Sequence, residues 1–302
     1  MKIYISPYHD VYKNVAIERY LFEHAKEEMI LFLWSNEPCV VFGRNQNVYN
    51  EVNIEYAKEK DIKLVRRFSG GGAVYQDLGN LNYTFITNDE SEIDELNELL
   101  IEVFENLGIY ATFSGRNDLL VDDKKFSGIA YCNDFDHLMY HGTCLIDVDV
   151  EELVKVLKPH DYKLKSHSVS SYKTRVINLN EIKKVTALDI VESFKKVMGK
   201  HYQVELIEDI DISSDIQKIV DLLTNEDYIY NDCPSFLYSI EMRLNNSNYH
   251  LDLEYKNGVI EKVNIYTDDL NNDKKDFYYQ KLIGRKISFY HVENYLKNLM
   301  NS

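Results

Sequence analysis

Three of the chain's 12 glycines stand together in RRFSGGGAVYQDLGN, residues 66–80. A bare turn needs one glycine or two. The flanks, IKLVRRF (62–68) and GAVYQD (72–77), have the apolar, β-branched character of strands. A glycine triplet between two strands marks a place where backbone comes close to something, and two arginines beside it point to an anion. Two familiar phosphate loops are excluded by this setting. A Walker A loop ends in GK[ST], a dinucleotide fingerprint spaces its glycines differently, and both open a helix. A strand–glycine turn–strand instead offers several N–H groups as an anion-binding concavity. Arg66 or Arg67 would add bidentate hydrogen bonds to a carboxylate or phosphate. Strand alternation sets these arginines on opposite faces, so one points away.

The remaining chain reads as mixed helices and strands. VYKNVAIERYLFEHAKE (11–27) has the periodicity of an amphipathic helix. MILFLWS (29–35) and CVVFG (39–43) read as buried strands, VNIEYAKEKD (52–61) as a short helix, and LNYTFIT (81–87) as a strand joined to GAVYQD by the turn LGN. SEIDELNELLIEVFENLG is a helix ending at Gly108. NDLLVDDKKFSGIAY (117–131) reads as a hairpin turning at DDK. YHGTCLIDVDV (140–150) reads as a strand, EELVKVLK as a helix, 160–176 as a long polar loop, and helices follow at about 186–199 and 214–223. Beyond residue 225 three alternating strands and two helices suggest a second domain. The expected division is 1–224 and 225–302.

Charge and cysteine use narrow the function classes. Against 34 Lys and Arg stand 50 Asp and Glu, a formal net charge of −16. General nucleic-acid binding needs many cationic phosphate contacts and is disfavoured. No apolar run is long enough to cross a bilayer, and MKIYISPYHD lacks the apolar core of a secretory signal. A cytoplasmic protein with no membrane association is expected. The four cysteines, Cys39, Cys132, Cys144 and Cys233, form no CxxC pair and no zinc spacing.

Four segments carry candidate chemistry. Besides the glycine stretch, Lys124 and Lys125 precede Ser127-Gly128, and a lysine there can reach an acyl phosphate. Asn117 and Asp118, at the strand entry, would coordinate a magnesium–phosphate unit or cap the turn. His141 precedes Gly142, and Lys173 and Arg175 lie in the polar loop. Each alone has a bland reading: solvated cations, or a buried histidine.

Together, VVFGRNQN (40–47), RRFSGGGAVYQDLGNLNYTFI (66–86), GRNDLLVDDKKFSGIAY (115–131), HGTCLIDVDV (141–150) and SSYKTRVINL (170–179) resemble the lipoate–protein ligase A family in order and spacing. The resemblance implies an α/β (α+β) fold: a mixed, largely antiparallel sheet of the biotin/lipoate ligase type with a small C-terminal α+β accessory domain. It implies a monomer that uses ATP and Mg2+ to turn lipoate into lipoyl-AMP. The acyl group then passes to a lysine of an apo lipoyl domain of a dehydrogenase complex, or of glycine-cleavage H protein. It also implies roles. Lys125, in the family's K-x-S-G pattern, is the catalytic lysine. Arg66, Arg67, Ser69, Gly70, Gly71 and Gly72 hold the adenylate, and Ala73, Val74 and Tyr75 line the acyl tunnel. Asn80, Asn117 and Asp118 orient nucleotide and magnesium. Gln76, Ser127, Gly128 and His141 belong to the substrate site, and Lys173 and Arg175 to a loop over the adenylate.

The chain departs from the family pattern at Gln76, often His, at Cys132, often basic, and at Tyr140-His141-Gly142. Three other readings compete. A cysteine-dependent acyltransferase would place its thiol just before the lysine hairpin. YATFSGRNDLLVDD has none, and Cys132 and Cys144 follow the lysine. A biotin–protein ligase would carry a GRGRxGR-like loop. A non-catalytic binder of lipoate or lipoyl domains would need neither Lys125 nor the arginines.

Overall fold

The structure, a computed structural model, describes residues 1–26, 28–88, 90–115, 117–158, 176–232, 234–244, 247–270, 272–286 and 289–300. The chain divides into two compact units, Met1–Arg44 with Tyr49–Thr224, and Asn45–Val48 with Asn225–Ser302.

The larger unit begins with β1 (Lys2–Ile5) and α1 (Val11–Glu23). Asp10 caps α1, its carboxylate accepting from the N–H groups of Tyr12 and Lys13. The helix ends at Glu23 rather than at residue 27, where the His24 N–H bonds the Tyr20 carbonyl. Its inner face buries Val11, Val15, Leu21 and Phe22, and also Asn14 and Glu18. A buried carboxylate on an apolar face needs partners, and those partners lie in the site below.

An eight-stranded sheet runs in the order β11-β1-β2-β6-β10-β9-β8-β7. Its members are β2 (Ile30–Trp34), β6 (Asn80–Thr87), β7 (Thr112–Ser114), β8 (Asp118–Val121), β9 (Lys124–Asp134), β10 (His137–Leu145) and β11 (Glu205–Ile207), besides β1. Only β11–β1 and β1–β2 pair in parallel; the other pairs are antiparallel. The mixed, largely antiparallel sheet is the one expected. Helices α4 (Ile93–Asn106) and α6 (Ala187–His201) share its core. Leu96, Leu100, Phe104, Ile190 and Phe194 pack with Tyr83, Phe85, Phe126 and Tyr140. Each such buried side chain contributes about 1.5–3 kcal/mol, which makes this sheet a rigid floor.

A second sheet orders as β4-β3-β5, with β3 (Cys39–Phe42) between β4 (Lys63–Arg66) and β5 (Ala73–Gln76). Strand β3 runs parallel to β4 and antiparallel to β5. The glycine stretch therefore does not turn a hairpin. It crosses the end of β3 to reach the far edge. GAVYQD and LNYTFIT are strands, yet they do not pair: β5 bonds β3, and β6 lies between β2 and β10 in the other sheet. The turn at 77–79 carries the chain between sheets. Short helices α2 (Val48–Glu51) and α3 (Ile54–Glu59) connect β3 to β4.

The lysine hairpin is as expected. Asp122 and Asp123 form its turn with φ of 50° and 60°, the left-handed pair that two-residue hairpins require. The strand expected over 140–150 stops at Leu145, because Asp149 accepts from the Glu151 and Glu152 N–H groups and opens α5 (Val150–Val156). Helix α7 (Ser214–Leu223) ends this unit.

The smaller unit contains α8 (Glu226–Tyr230) and an antiparallel meander of β12 (Phe236–Leu244), β13 (Ser247–Lys256) and β14 (Val259–Thr267). Helices α9 (Asn272–Leu282) and α10 (Phe289–Met300) follow. Tyr249, Leu251, Leu253 and Tyr255 alternate inward along β13 and pack with Tyr278, Leu282, Val292 and Leu296. No described helix is long and apolar enough to cross a membrane.

Candidate active site

A cavity of about 490 Å³ lies within the larger unit, between the small sheet and the floor of the large one. Its size suits a small-molecule ligand. Lys125, Asn117, Asp118 and Gly128 line one part; Arg67, Gly71, Gly72, Ala73, Val74 and Gln76 line another; His141 completes the predicted set.

Lys125 reaches the cavity because β9 is irregular. Leu120 pairs with Lys125, but the next residue back, Leu119, pairs with Ser127, so Phe126 is an extra residue on this strand. In a regular strand positions 125 and 128 face opposite sides. The bulge re-aims the lysine to the side of Gly128 and Ala130. Phe126 meanwhile drops into the core against Phe104, with ring centroids 4.8 Å apart. The Lys125 ammonium lies 2.7 Å from Asp118 Oδ1, and both side chains are 39% exposed. Ile177 N–H bonds the Lys125 carbonyl (3.0 Å). The chain beyond residue 175 is thus pinned to β9.

The glycine loop is built on Gly43 and Arg67. Its crossing of β3 is fixed by Gly43 N–H to Gly72 O (3.2 Å), Arg44 N–H to Ser69 O (2.9 Å) and Arg67 N–H to Phe42 O (2.9 Å). A Cβ on Gly43 would stand 2.1 Å from the Gly71 carbonyl oxygen, which no side chain tolerates. Gly71 itself has φ of +91°. Arg67 is 7% exposed. It donates to the carbonyls of Gly70 (2.6 and 3.0 Å), Gly72 (2.9 Å) and Val41 (3.2 Å), and to Ser69 Oγ (3.1 Å). Burial lowers its pKa to about 10, with Glu18 opposing.

Glu18, on α1, was not foreseen. Its carboxylate is buried at the cavity and accepts from Thr84 Oγ1 (2.7 Å) and pairs with His141 Nδ1 (2.8 Å). Burial pushes its carboxyl up, but His141, Thr84 and Arg67 outweigh that and hold it below the usual carboxylate range. His141 Nε2 contacts Ser69 Oγ at 3.0 Å.

Gln76 sits in a buried amide chain. Its Oε1 accepts from Asn36 (2.7 Å) and Asn82 (3.2 Å), and its Nε2 donates to Asn82 Oδ1 (2.8 Å). Asn80 Nδ2 also donates to Asn82 (3.0 Å). Gln76 and Asn82 line the cavity together.

Several expected residues do not line the cavity. Arg66, on the opposite strand face from Arg67, is fully buried over Phe42 (4.9 Å) and donates to the Arg44 carbonyl (2.7 Å). Tyr75 points away from the face of Val74 and Gln76. Ser69 and Ser127 lie beneath the surface, Ser127 Oγ sharing a hydrogen with Tyr83 (2.9 Å). Gly70 lends its carbonyl to Arg67. Asn80 is wholly buried behind Asn82, its Oδ1 without a partner among the described residues. Lys173 and Arg175 lie outside the described residues. Val15, Trp34, Val41, Glu51, Thr143 and Lys158 join the wall without having been singled out. Their signal was absent because they are scattered over five elements and the stretch after α5.

No described cysteine lines the cavity. Cys39 and Cys144 are fully buried, and burial pushes both thiols far above their ordinary range. Burial and Asp134 raise Cys132 as well. A thiolate nucleophile is disfavoured on these grounds, and Cys233 lies outside the described residues.

Comparison with known proteins is decisive. Residues 10–202 match the model of the lipoyl protein ligase A/B catalytic domain, and 233–302 that of the bacterial lipoate protein ligase C-terminus. The chain belongs to the lipoate–protein ligase A family. This ligase is 32% identical over 297 residues to lipoate-protein ligase A of Blochmanniella floridana, covering 94% of this chain and 88% of that one. It is 34% identical over 287 residues to the Psychrobacter cryohalolentis enzyme of the same name, covering 90% and 85%. Among solved structures, LipL1 of P. falciparum, in complex with lipoate, superposes with a TM-score of 0.69 at 26% identity, covering 96% of this chain and 91% of that one. A bipartite lipoate protein ligase from Thermoplasma acidophilum, described with its E2 lipoyl domain, shares the fold at a TM-score of 0.67 and 23% identity, covering 76% and 95%. The protein is an enzyme that joins lipoate to protein.

Proposed function

We propose that this cavity binds lipoate and ATP, forms lipoyl-AMP and then presents it to the lysine of an apo lipoyl domain. One observation carries the reading: the lysine–carboxylate pair of one hairpin, the glycine loop and His141, from three separate segments, converge on a single cavity large enough for an adenylate. A lipoate carboxylate oxygen attacks the α-phosphorus of ATP, and pyrophosphate leaves. The carrier's ε-amine then attacks the acyl carbon, loses a proton and expels AMP. Lys125 stabilises the negative oxygens in both steps, with Asp118 holding its ammonium beforehand. Gly71 and Gly72, on the cavity wall, let the backbone come close to the same charge. Lipoate's apolar chain lies along Val15, Trp34, Val41 and Val74.

Magnesium arrives with the nucleotide in this reading. Asn117 and Asp118 offer hard oxygen donors at the cavity, and no three His, Cys, Asp or Glu among the described residues form a cage. Phosphates and water would complete the shell, as magnesium prefers. Residues 1–224 would act as the catalytic domain and 225–302 as the accessory domain of a cytoplasmic monomer. The carrier is a dehydrogenase lipoyl domain or glycine-cleavage H protein.

Intact-mass spectrometry of an apo lipoyl domain incubated with the protein and lipoate tests this. A gain of one lipoyl group only with Mg-ATP is expected. A gain from an acyl-carrier thioester without ATP would overturn it.

A further inference from the structure

Two chains of hydrogen bonds in the wall end on one atom. From one side, Trp34 Nε1 donates to Thr84 Oγ1 (3.2 Å), and Thr84 donates to Glu18 Oε1 (2.7 Å). From the other, Arg67 Nε donates to Ser69 Oγ (3.1 Å), Ser69 meets His141 Nε2 (3.0 Å), and His141 Nδ1 meets the same Glu18 Oε1 (2.8 Å). The ends set the outer directions. Indole and guanidinium nitrogens can only donate, and an ionised carboxylate can only accept. His141 Nδ1 must then carry hydrogen. With the ring neutral, its Nε2 accepts, and the Ser69 hydroxyl donates to it while accepting from Arg67. Every group is satisfied in that arrangement.

We infer that Glu18 is a positioning residue of the glycine loop, acting through His141 and Ser69 on Arg67. By holding hydrogen on Nδ1 it turns Ser69 toward Nε2. The Ser69 oxygen is thereby presented to Arg67 Nε, while the other guanidinium nitrogens grip the carbonyls of Gly70 and Gly72. The layout is that of a nucleophile–base–carboxylate triad. Ser69 is nevertheless only 1% exposed, off the cavity wall, and its oxygen is taken by Arg67. It serves as a relay. The inference rests on the ligase reading only for its kinetic readout.

The test is Glu18→Gln in the full chain, followed by nitrogen NMR of the His141 ring and of the loop amides. The wild type is expected to show the Nδ1–H form. In the variant the side-chain amide can donate to Nδ1, the ring shifts toward the Nε2–H form, and the Gly71 and Gly72 amide signals move. Ligation kcat/KM should fall about 10- to 100-fold, as for loss of one charge-assisted hydrogen bond. Ser69→Ala should cost a similar factor, and the double variant no more than either single one. Additive losses, or an unchanged ring and unchanged glycine amides, would overturn the inference. So would complete loss of turnover in Ser69→Ala with undisturbed loop amides, which is the nucleophile outcome. If Glu18→Gln does not fold, Ser69→Ala decides alone, since the glycine amides must move there too. The NMR signals need no turnover, so an inactive wild type would count against the ligase reading and not against this one.

Discussion

Lys125 and Arg67 face the same cavity and are held in opposite ways. The lysine side chain is 39% exposed, with one ionic partner among the described residues, Asp118. The arginine is 7% exposed and spends its hydrogens on four protein acceptors, three of them backbone carbonyls. A cation with few commitments to the protein is available to a substrate. A cation with many is part of the wall. On the proposed reading the contrast separates charge that acts on the reacting oxygens from charge that shapes the loop beside them, and it yields four predictions of decreasing size.

The largest effect belongs to the more exposed cation. Lys125→Ala should lower ligation kcat/KM by about 10²–10³-fold, the usual loss of a preorganised donor. Its melting temperature should stay near that of the wild type, since a half-exposed ion pair adds only about 0–1 kcal/mol. Near-normal turnover by a folded Lys125→Ala protein would remove the lysine from the mechanism.

Arg67 should behave the other way round. Arg67→Lys retains the charge but not the planar fork. It leaves carbonyls of Val41, Gly70 or Gly72 without donors, at roughly 1–3 kcal/mol each. A clear drop in the urea midpoint is expected, with activity lost through a disordered loop. Should Arg67→Lys keep its stability and lose only activity, the assignment of the two cations would have to be exchanged.

Asp118→Asn probes the ionic tie on the lysine. The neutral amide still lines the cavity but no longer holds the ammonium electrostatically. A fall in kcat/KM of about tenfold, with little loss of stability, is expected. Steady-state ligation assays and thermal melts on the same samples separate the two.

The sequence discloses some parts of this site and hides others for physical reasons. Local chemistry is legible: the glycine triplet, the two-aspartate turn and the lysine beside Ser127-Gly128 all sit in short segments. The crossing over β3 is not legible, because β4 and β5 are joined through a third strand rather than to each other. Strand alternation correctly divides Arg66 from Arg67 but does not say which faces the cavity. Gly43 supplies that answer only once its neighbours are known. Alternation fails outright at Lys125, where Phe126 is an extra residue. Glu18 and Trp34 are invisible beforehand, since a carboxylate on a helix and a tryptophan in a strand meet His141 and Thr84 only through the fold.

The smallest effect is expected where neither cation is touched. Gln76 serves as acceptor for Asn36 and Asn82 and as donor to Asn82. Gln76→His offers one acceptor and one donor in its neutral form. One donor, from Asn36 or Asn82, would then lose its acceptor in a buried place, costing about 1–3 kcal/mol. The amide chain touches neither Lys125 nor the Arg67 grip, so kcat should change little while the denaturation midpoint falls. A drop in kcat comparable with that of Asp118→Asn would mean that the amide wall contacts the reacting groups. The division between an exposed lysine and a committed arginine would then have to admit a third, uncharged participant.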